Sequence, residues 1–312
     1  MKNPFRYSDD NKRYHTINYY FRHKYHQKVA KIPLHAGFTC PNRDGYKGTG
    51  GCLFCSEKGS GDSILNYGDQ LKEQYRAGLE LMRKKWPDCL GFAYFQSFTN
   101  TYADLVALQS VYDPFVNDPA IPGLSIATRA DCLDEACIRY LSKAAEKKEI
   151  WLELGLQSAN EQTMQQMNRC HDNAVVESVL KRLESTPIHT CVHLINGFPR
   201  ETKDDMIRSA QWIAQRPVDA VKIHMLHIIK GSPLADIYQK EPFPLLSRQE
   251  YVDVVVAQLE QLPETVIIER LTGDAMAKDL IAPAWTMKKT IVLNEIDKKM
   301  ARENTWQGKY KK

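Results

Sequence analysis

Between residues 31 and 228 the chain alternates between short apolar, strand-like runs and longer segments with helical spacing. Strands are expected near 31–38, 90–97, 123–129, 150–157, 188–195 and 218–228, and helices near 69–86, 104–117, 134–147, 172–184 and 203–214. Six such β-then-α units predict an α/β fold: a parallel sheet with right-handed crossovers, either doubly wound or an incomplete barrel. They are too few to close an eight-fold barrel.

Two appendages flank this core, which spans residues 31–239. Residues 1–30 are dense in cationic and aromatic side chains, and Tyr14, Ile17, Phe21 and Tyr25 follow helical spacing. This leader reads either as a basic, stacking-capable surface for RNA or as an amphipathic helix with a solvated charged face. After Gly231, three prolines (Pro233, Pro242 and Pro244) punctuate a connector. The extension, residues 240–312, then carries a helix at 247–261, a strand in TVIIERLTG, a helix near 284–300 and a solvated basic tail, KYKK.

The chemistry is concentrated in residues 31–62, where Cys40, Cys52 and Cys55 lie in a C-x11-C-x2-C spacing within a glycine-rich loop. Three thiolates suit a [4Fe–4S] cluster with one iron left open, whereas structural zinc calls for a fourth ligand, for which His35 is nearest. Cys89, Cys132, Cys137, Cys170 and Cys191 lack CxxC spacing and read as buried structural thiols, so one cluster is expected. There is no apolar leader of the secretory kind and no run of about 18 apolar residues. With eight cysteines used this way, the expected location is a reducing cytoplasm, away from membranes. A net charge of +4 permits a polyanionic partner without demanding one.

Strand alternation sorts the core side chains into two faces. In IWLELGLQS, Ile150, Leu152, Leu154 and Leu156 suit packing against helices, while Trp151, Glu153, Gly155 and Gln157 face the other way. A carboxylate and an amide on an inner sheet face call for polar company. Ligands of open α/β sheets bind at the carboxyl ends of strands. By the same reading Gln96, Arg129, Glu153, Gln157, His193 and His224 line one polar cavity, although each histidine reads equally well as a satisfied interior residue.

The text PLHAGFTCPNRDG…GTGGCLFCSEKGSGD resembles the cysteine loop of radical S-adenosylmethionine (SAM) proteins, in particular the YhcC/YtqA-type branch related to the Elongator catalytic subunit. The resemblance implies a radical SAM partial (βα)6 barrel carrying one [4Fe–4S] cluster on Cys40, Cys52 and Cys55. Reductive cleavage of S-adenosylmethionine would then give a 5′-deoxyadenosyl radical that takes hydrogen from substrate. Glu153 suits the ribose hydroxyls or the cationic end of S-adenosylmethionine, and Arg129 suits its carboxylate. ELGLQS is similar to an Elongator-type segment that contributes to S-adenosylmethionine binding, and MNRCHD to an N-R-G-H stretch, which adds Arg169. Here Cys170 stands in place of the glycine, and QSFTNT replaces the usual GGE-like turn after the second strand.

The same resemblance implies action on the C5 side chain of tRNA wobble uridine, trimming carboxymethylaminomethyl to aminomethyl. The implied partners are tRNA, a low-potential electron donor such as flavodoxin or ferredoxin, and a downstream methyltransferase. A radical enzyme acting on a small metabolite and a non-catalytic metal-binding RNA adaptor remain as alternatives.

Overall fold

The computed structural model describes residues 4–59, 61, 64 and 70–310. Ser60 and Asp62 of the cysteine loop, Asp69 at the start of the next helix, the first three residues of the leader, and Lys311 and Lys312 of the tail lie outside them. The strands are β1 (Val29–Leu34), β2 (Leu90–Phe95), β3 (Gly123–Thr128), β4 (Glu149–Gln157), β5 (His189–Asn196), β6 (Ala220–Met225), β7 (Ile228–Ile229), β8 (Ile267–Arg270) and β9 (Leu280–Ala282). The helices are α1 (Ile17–Tyr25), α2 (Leu71–Lys85), α3 (Leu105–Val116), α4 (Glu135–Ala145), α5 (Glu161–Gln166), α6 (Asn173–Leu183), α7 (Lys203–Ala214), α8 (Pro233–Lys240), α9 (Arg248–Gln261) and α10 (Lys289–Arg302).

Seven strands form one parallel sheet in the order β1-β2-β3-β4-β5-β6-β8, curled into a half-barrel. The expected six-unit core is present, and the extension adds β8 as a seventh strand beside β6. Helices cover the convex face, where Leu124, Ile126, Ile150, Leu152, Leu154 and Leu156 are buried in the main core. A second departure concerns the connector after Gly231, part of which is helix α8. Ser232 caps it by accepting from the Ala235 N–H, and Pro233 sits in its first turn, where no N–H is needed.

The leader closes the base of the half-barrel. Phe21, with Ile17, Tyr20 and Tyr25 around it, packs on Phe92, Trp151 and Cys191 on the concave face. Glu149 seals the rim by accepting from Trp151 Nε1 at 2.6 Å and pairing with Lys24 at 2.7 Å. The helical spacing of the leader therefore marks a buried stripe, and these aromatic rings are used in packing. The chain end is anchored as well, since the Gln307 side chain donates to the Pro263 and Val266 carbonyls and accepts from the His15 N–H. Among the described residues, no helix is long and apolar enough to cross a membrane.

Candidate active site

Towards the carboxyl ends of the strands the concave face holds a cavity of about 260 Å³. Cys40, Cys52, Cys55, Gln96, Arg129, Glu153, Gln157 and Arg169 all line it, and so do His193 and His224. The structure thus brings every candidate residue to one place, although several are already engaged by neighbouring protein groups.

The cysteine loop is held by backbone contacts made far from it in sequence. The Leu53 N–H donates to the Met167 carbonyl at 3.0 Å, and the Leu234 N–H donates to the Leu53 carbonyl at 2.8 Å. Asn168 Nδ2 donates to the Gly51 carbonyl at 2.8 Å, and the Phe54 ring meets Phe198 at 5.4 Å. The loop therefore rests on the segment after β4 and on the start of α8. The QSFTNT turn is fixed by Asn100, whose amide donates to the Phe95, Ser97 and Ala127 carbonyls. A further bond from the Thr99 N–H to the Thr39 carbonyl ties this turn to the cysteine loop.

Three thiols line this wall of the cavity. Cys52 is drawn down to about 7, first by a hydrogen bond from Cys55, with Arg129, Asn42 and Arg169 helping against burial. Among the described residues no three His, Cys, Asp or Glu side chains converge on a single-ion site. His35, the alternative zinc ligand, instead bonds Ser97 Oγ through Nδ1 at 2.7 Å. Soft thiols are the ligand type of an iron–sulfur cluster, in which each thiolate would bind a different iron.

The same cavity is bordered by a buried charge cluster. Glu153 pairs with Lys31 at 2.8 Å and with Lys222 at 2.5 Å, and both lysines also reach Glu269. Burial works against the Glu153 carboxylate, but Lys222 and Lys31, with His193, outweigh it and hold it well below the ordinary range. His193 Nε2 completes the set at 3.0 Å from Glu153. Arg129 forks onto Asp131 with two contacts of 2.9 Å and donates a third bond to the Arg169 carbonyl. Arg169 is fully buried and donates to the His171 and Leu156 carbonyls, Asn173 and Glu161. Gln157 has φ 60° and folds its amide over Gly155, where a Cβ would come within 2.2 Å of Gln157 Nε2. A side chain at 155 would therefore have to displace the Gln157 amide from this place.

Sequence reading missed Lys31, Arg43, His171, His227, Arg270 and Asp274. Of these, Lys31 lies in the charge cluster and the others line the cavity. Alternation in β8 does not reveal Arg270. Glu269 and Arg270 are consecutive, yet one joins the charge cluster and the other lines the cavity, next to a register shift between Val221 and Lys222.

A curled parallel half-barrel with a three-cysteine loop after its first strand is the architecture of a radical-generating enzyme that works on S-adenosylmethionine. Comparison with known proteins agrees. Residues 43–213 match the radical SAM superfamily and residues 218–302 its C-terminal domain. YtqA of Bacillus subtilis is 42% identical over 99% of this chain and 96% of its own length, and YhcC of Escherichia coli is 33% identical over 88% of each. Among solved structures, Elp3 of the archaeon Methanocaldococcus infernus superposes with a TM-score of 0.65 at 17% identity, over 90% of this chain and 64% of that one. The chain belongs to the radical SAM superfamily, in the family of the YtqA and YhcC proteins. Enzymes of this superfamily use a [4Fe–4S] cluster with S-adenosylmethionine and require an electron donor.

Proposed function

We propose that Cys40, Cys52 and Cys55 hold the [4Fe–4S] cluster and that the enzyme trims the carboxymethylaminomethyl group at C5 of tRNA wobble uridine to aminomethyl. The observation that carries this reading is one cavity joining the three thiols to a separate polar wall of His193, His224, His227 and Arg270. The thiols and their neighbours account for the cofactors, and the polar wall leaves contacts for a second molecule. Once loaded, the cofactors supply a 5′-deoxyadenosyl radical that removes hydrogen from substrate.

The chain's own residues supply placement. Lys31 and Lys222, with His193, keep Glu153 ionised but occupy both its oxygens, so it would accept from the ribose hydroxyls or the cationic end of S-adenosylmethionine only by exchanging one of these partners. Arg129 and Arg169 hold the segment after β4 beneath the cysteine loop, and Gln96 and Gln157 line the same cavity. The Arg43 guanidinium lies 5.5 Å from the centre of the Phe98 ring beside the thiols, a cationic and aromatic pair suited to stacking a base. The electron would come from flavodoxin or ferredoxin, and a methyltransferase would finish the product. A small-metabolite substrate is the second reading, favoured by the burial of the leader's aromatic rings.

The test is deletion of the gene and mass spectrometry of tRNA nucleosides, with complementation by wild type and by Cys52→Ala. Accumulation of carboxymethylaminomethyl-uridine, reversed by wild type alone, is the expected result. An unchanged nucleoside profile overturns the tRNA assignment.

A further inference from the structure

The polar wall of the cavity has a chemistry of its own. His224 Nε2 and His227 Nε2 are both buried and, among the described residues, have no hydrogen-bond partner. Both imidazoles line the cavity. A buried donor or acceptor left unpaired is costly, so two in one wall call for a ligand. The packing behind them holds the rings in place. A Cβ on Gly273 would come within 2.6 Å of His227 Cε1 and 3.6 Å of His224 Nδ1, and His193 stacks on His224 with ring centres 5.7 Å apart.

The charged groups that act on these two rings are cationic. Burial acts first to push His224 well down, and the cations Arg270 and Lys222 beside it add to the effect. His227 is pushed down to about 4 by burial, then by Lys289 and Arg270. The acidic groups nearby are all in ion pairs, and Asp274 engages Arg270 through Nη2 only. Glu153 and Glu269 are held by Lys31 and Lys222, and Asp274 pairs with Arg270 at 2.8 Å and with Lys289. Arg270 also lines the cavity. Uncharged imidazoles beside an arginine can each donate one N–H to an oxyanion, and the anion would offset the cationic field that keeps them neutral.

We propose that His224, His227 and Arg270 form a carboxylate-binding wall that takes the acidic end of the substrate. Identifying that acid as the carboxymethyl group of the uridine side chain rests on the function proposed above. The wall then holds the group to be removed within the cavity that the thiols also line.

The experiment is an imidazole ¹⁵N NMR titration of the anaerobic, cluster-loaded protein. The probes are acetate, inorganic phosphate, 5-carboxymethylaminomethyluridine and 5-aminomethyluridine. The acid nucleoside is expected to shift the His224 and His227 signals and to bind at least about tenfold more tightly than the aminomethyl nucleoside, the scale of charge-assisted hydrogen bonds. Arg270→Gln, at a partly exposed position, and His224→Phe should each remove most of that preference; the first keeps the test open if the second misfolds.

Acetate shifting both histidines while neither nucleoside binds supports the wall and counts against uridine as substrate. Both nucleosides binding equally, with the histidines unmoved, overturns the wall and leaves the uridine reading standing. Shifts with phosphate but not acetate overturn the carboxylate assignment in favour of a phosphate contact. No response to any probe overturns both.

Discussion

Lys222 of β6 and Glu153 of β4 form an ion pair of 2.5 Å that is buried at both ends, with side chains 5% and 0% exposed. Removing one partner of such a pair leaves a charge stranded in a poor solvent, and that penalty exceeds the worth of the pair itself. Lys222→Met is expected to cost about 3 kcal/mol, the lower end of the range for breaking a buried pair, because Lys31 still faces Glu153. Urea unfolding measures it. A loss under about 1 kcal/mol would class the pair with surface salt bridges and refute its role as a buried charge cluster.

The same cluster sets an acid limit. Glu153 and Glu269 are both held below their ordinary values, with Lys222 and Lys31 outweighing burial in each case. A carboxylate depressed in the fold stabilises it at pH above its unfolded value, about 4.3, and that contribution is lost as pH falls further. Urea midpoints measured from pH 7 down to pH 3 should therefore fall steeply below about pH 4.3. In Glu153→Gln that slope should be shallower, and an equal slope would show that other groups set the limit.

Cys170 occupies a left-handed backbone position, φ 60°, where the related stretch has glycine. The left-handed region costs a non-glycine residue about 1–2 kcal/mol, partly balanced by the extra freedom glycine has when unfolded. Cys170→Gly is expected to stabilise the protein by about 0.5 kcal/mol. Cys170, expected from the sequence to be a buried thiol, is instead exposed and lies outside the three-thiol set, so the cluster's visible absorption should persist. A destabilised variant would show that the Cys170 side chain contributes packing here.

The leader plug can be tested the same way. Phe21 is 4% exposed and sits between Phe92 and Tyr25, with ring centres 5.0 and 6.0 Å away. Phe21→Ala should cost about 3–5 kcal/mol by deleting a buried ring and leaving a cavity. Arg22→Ala, on the exposed side of the same helix, should stay within about 0.5 kcal/mol of wild type. Equal effects would mean that the helix does not plug the base.

How much of this was legible in the sequence differs by feature. Periodicity in 150–157 sorts the faces correctly, since it reports which side of a strand a residue takes. It does not report depth. Trp151 and Glu153 share a face, yet one belongs to the plugged base and the other to the buried charge cluster. Nor does it report partners. Lys31, Lys222 and Glu269 meet Glu153 or each other only because β1, β4, β6 and β8 curl towards one another, and no local pattern carries that. The cysteine loop was readable because its spacing is local, whereas the contact from Leu53 to Met167 that supports it was not. β8 was read as a strand of the extension, but its place at the sheet edge depends on register with β6.

Glu201, just before α7, gives the opposite pH behaviour from the buried charge cluster. Its carboxyl accepts from Ser158 Oγ, while Oε2 is buried without a partner among the described residues. Burial, with Asp205 nearby, raises it to about 7 despite the hydrogen bonds from Ser158 and Thr163. A carboxyl raised in the fold binds its proton more tightly there than in the unfolded chain. Its contribution is therefore fully present below the unfolded value, about 4.3, and is lost as pH rises through about 7. Glu201→Gln keeps the shape and removes the titration. The variant should match wild type near pH 4 and exceed it by on the order of 2–3 kcal/mol at pH 8, where wild type must bury a charge. Thermal unfolding at the two pH values decides it. A difference between the proteins that does not change with pH would show that Glu201 keeps an ordinary carboxylate value in the fold.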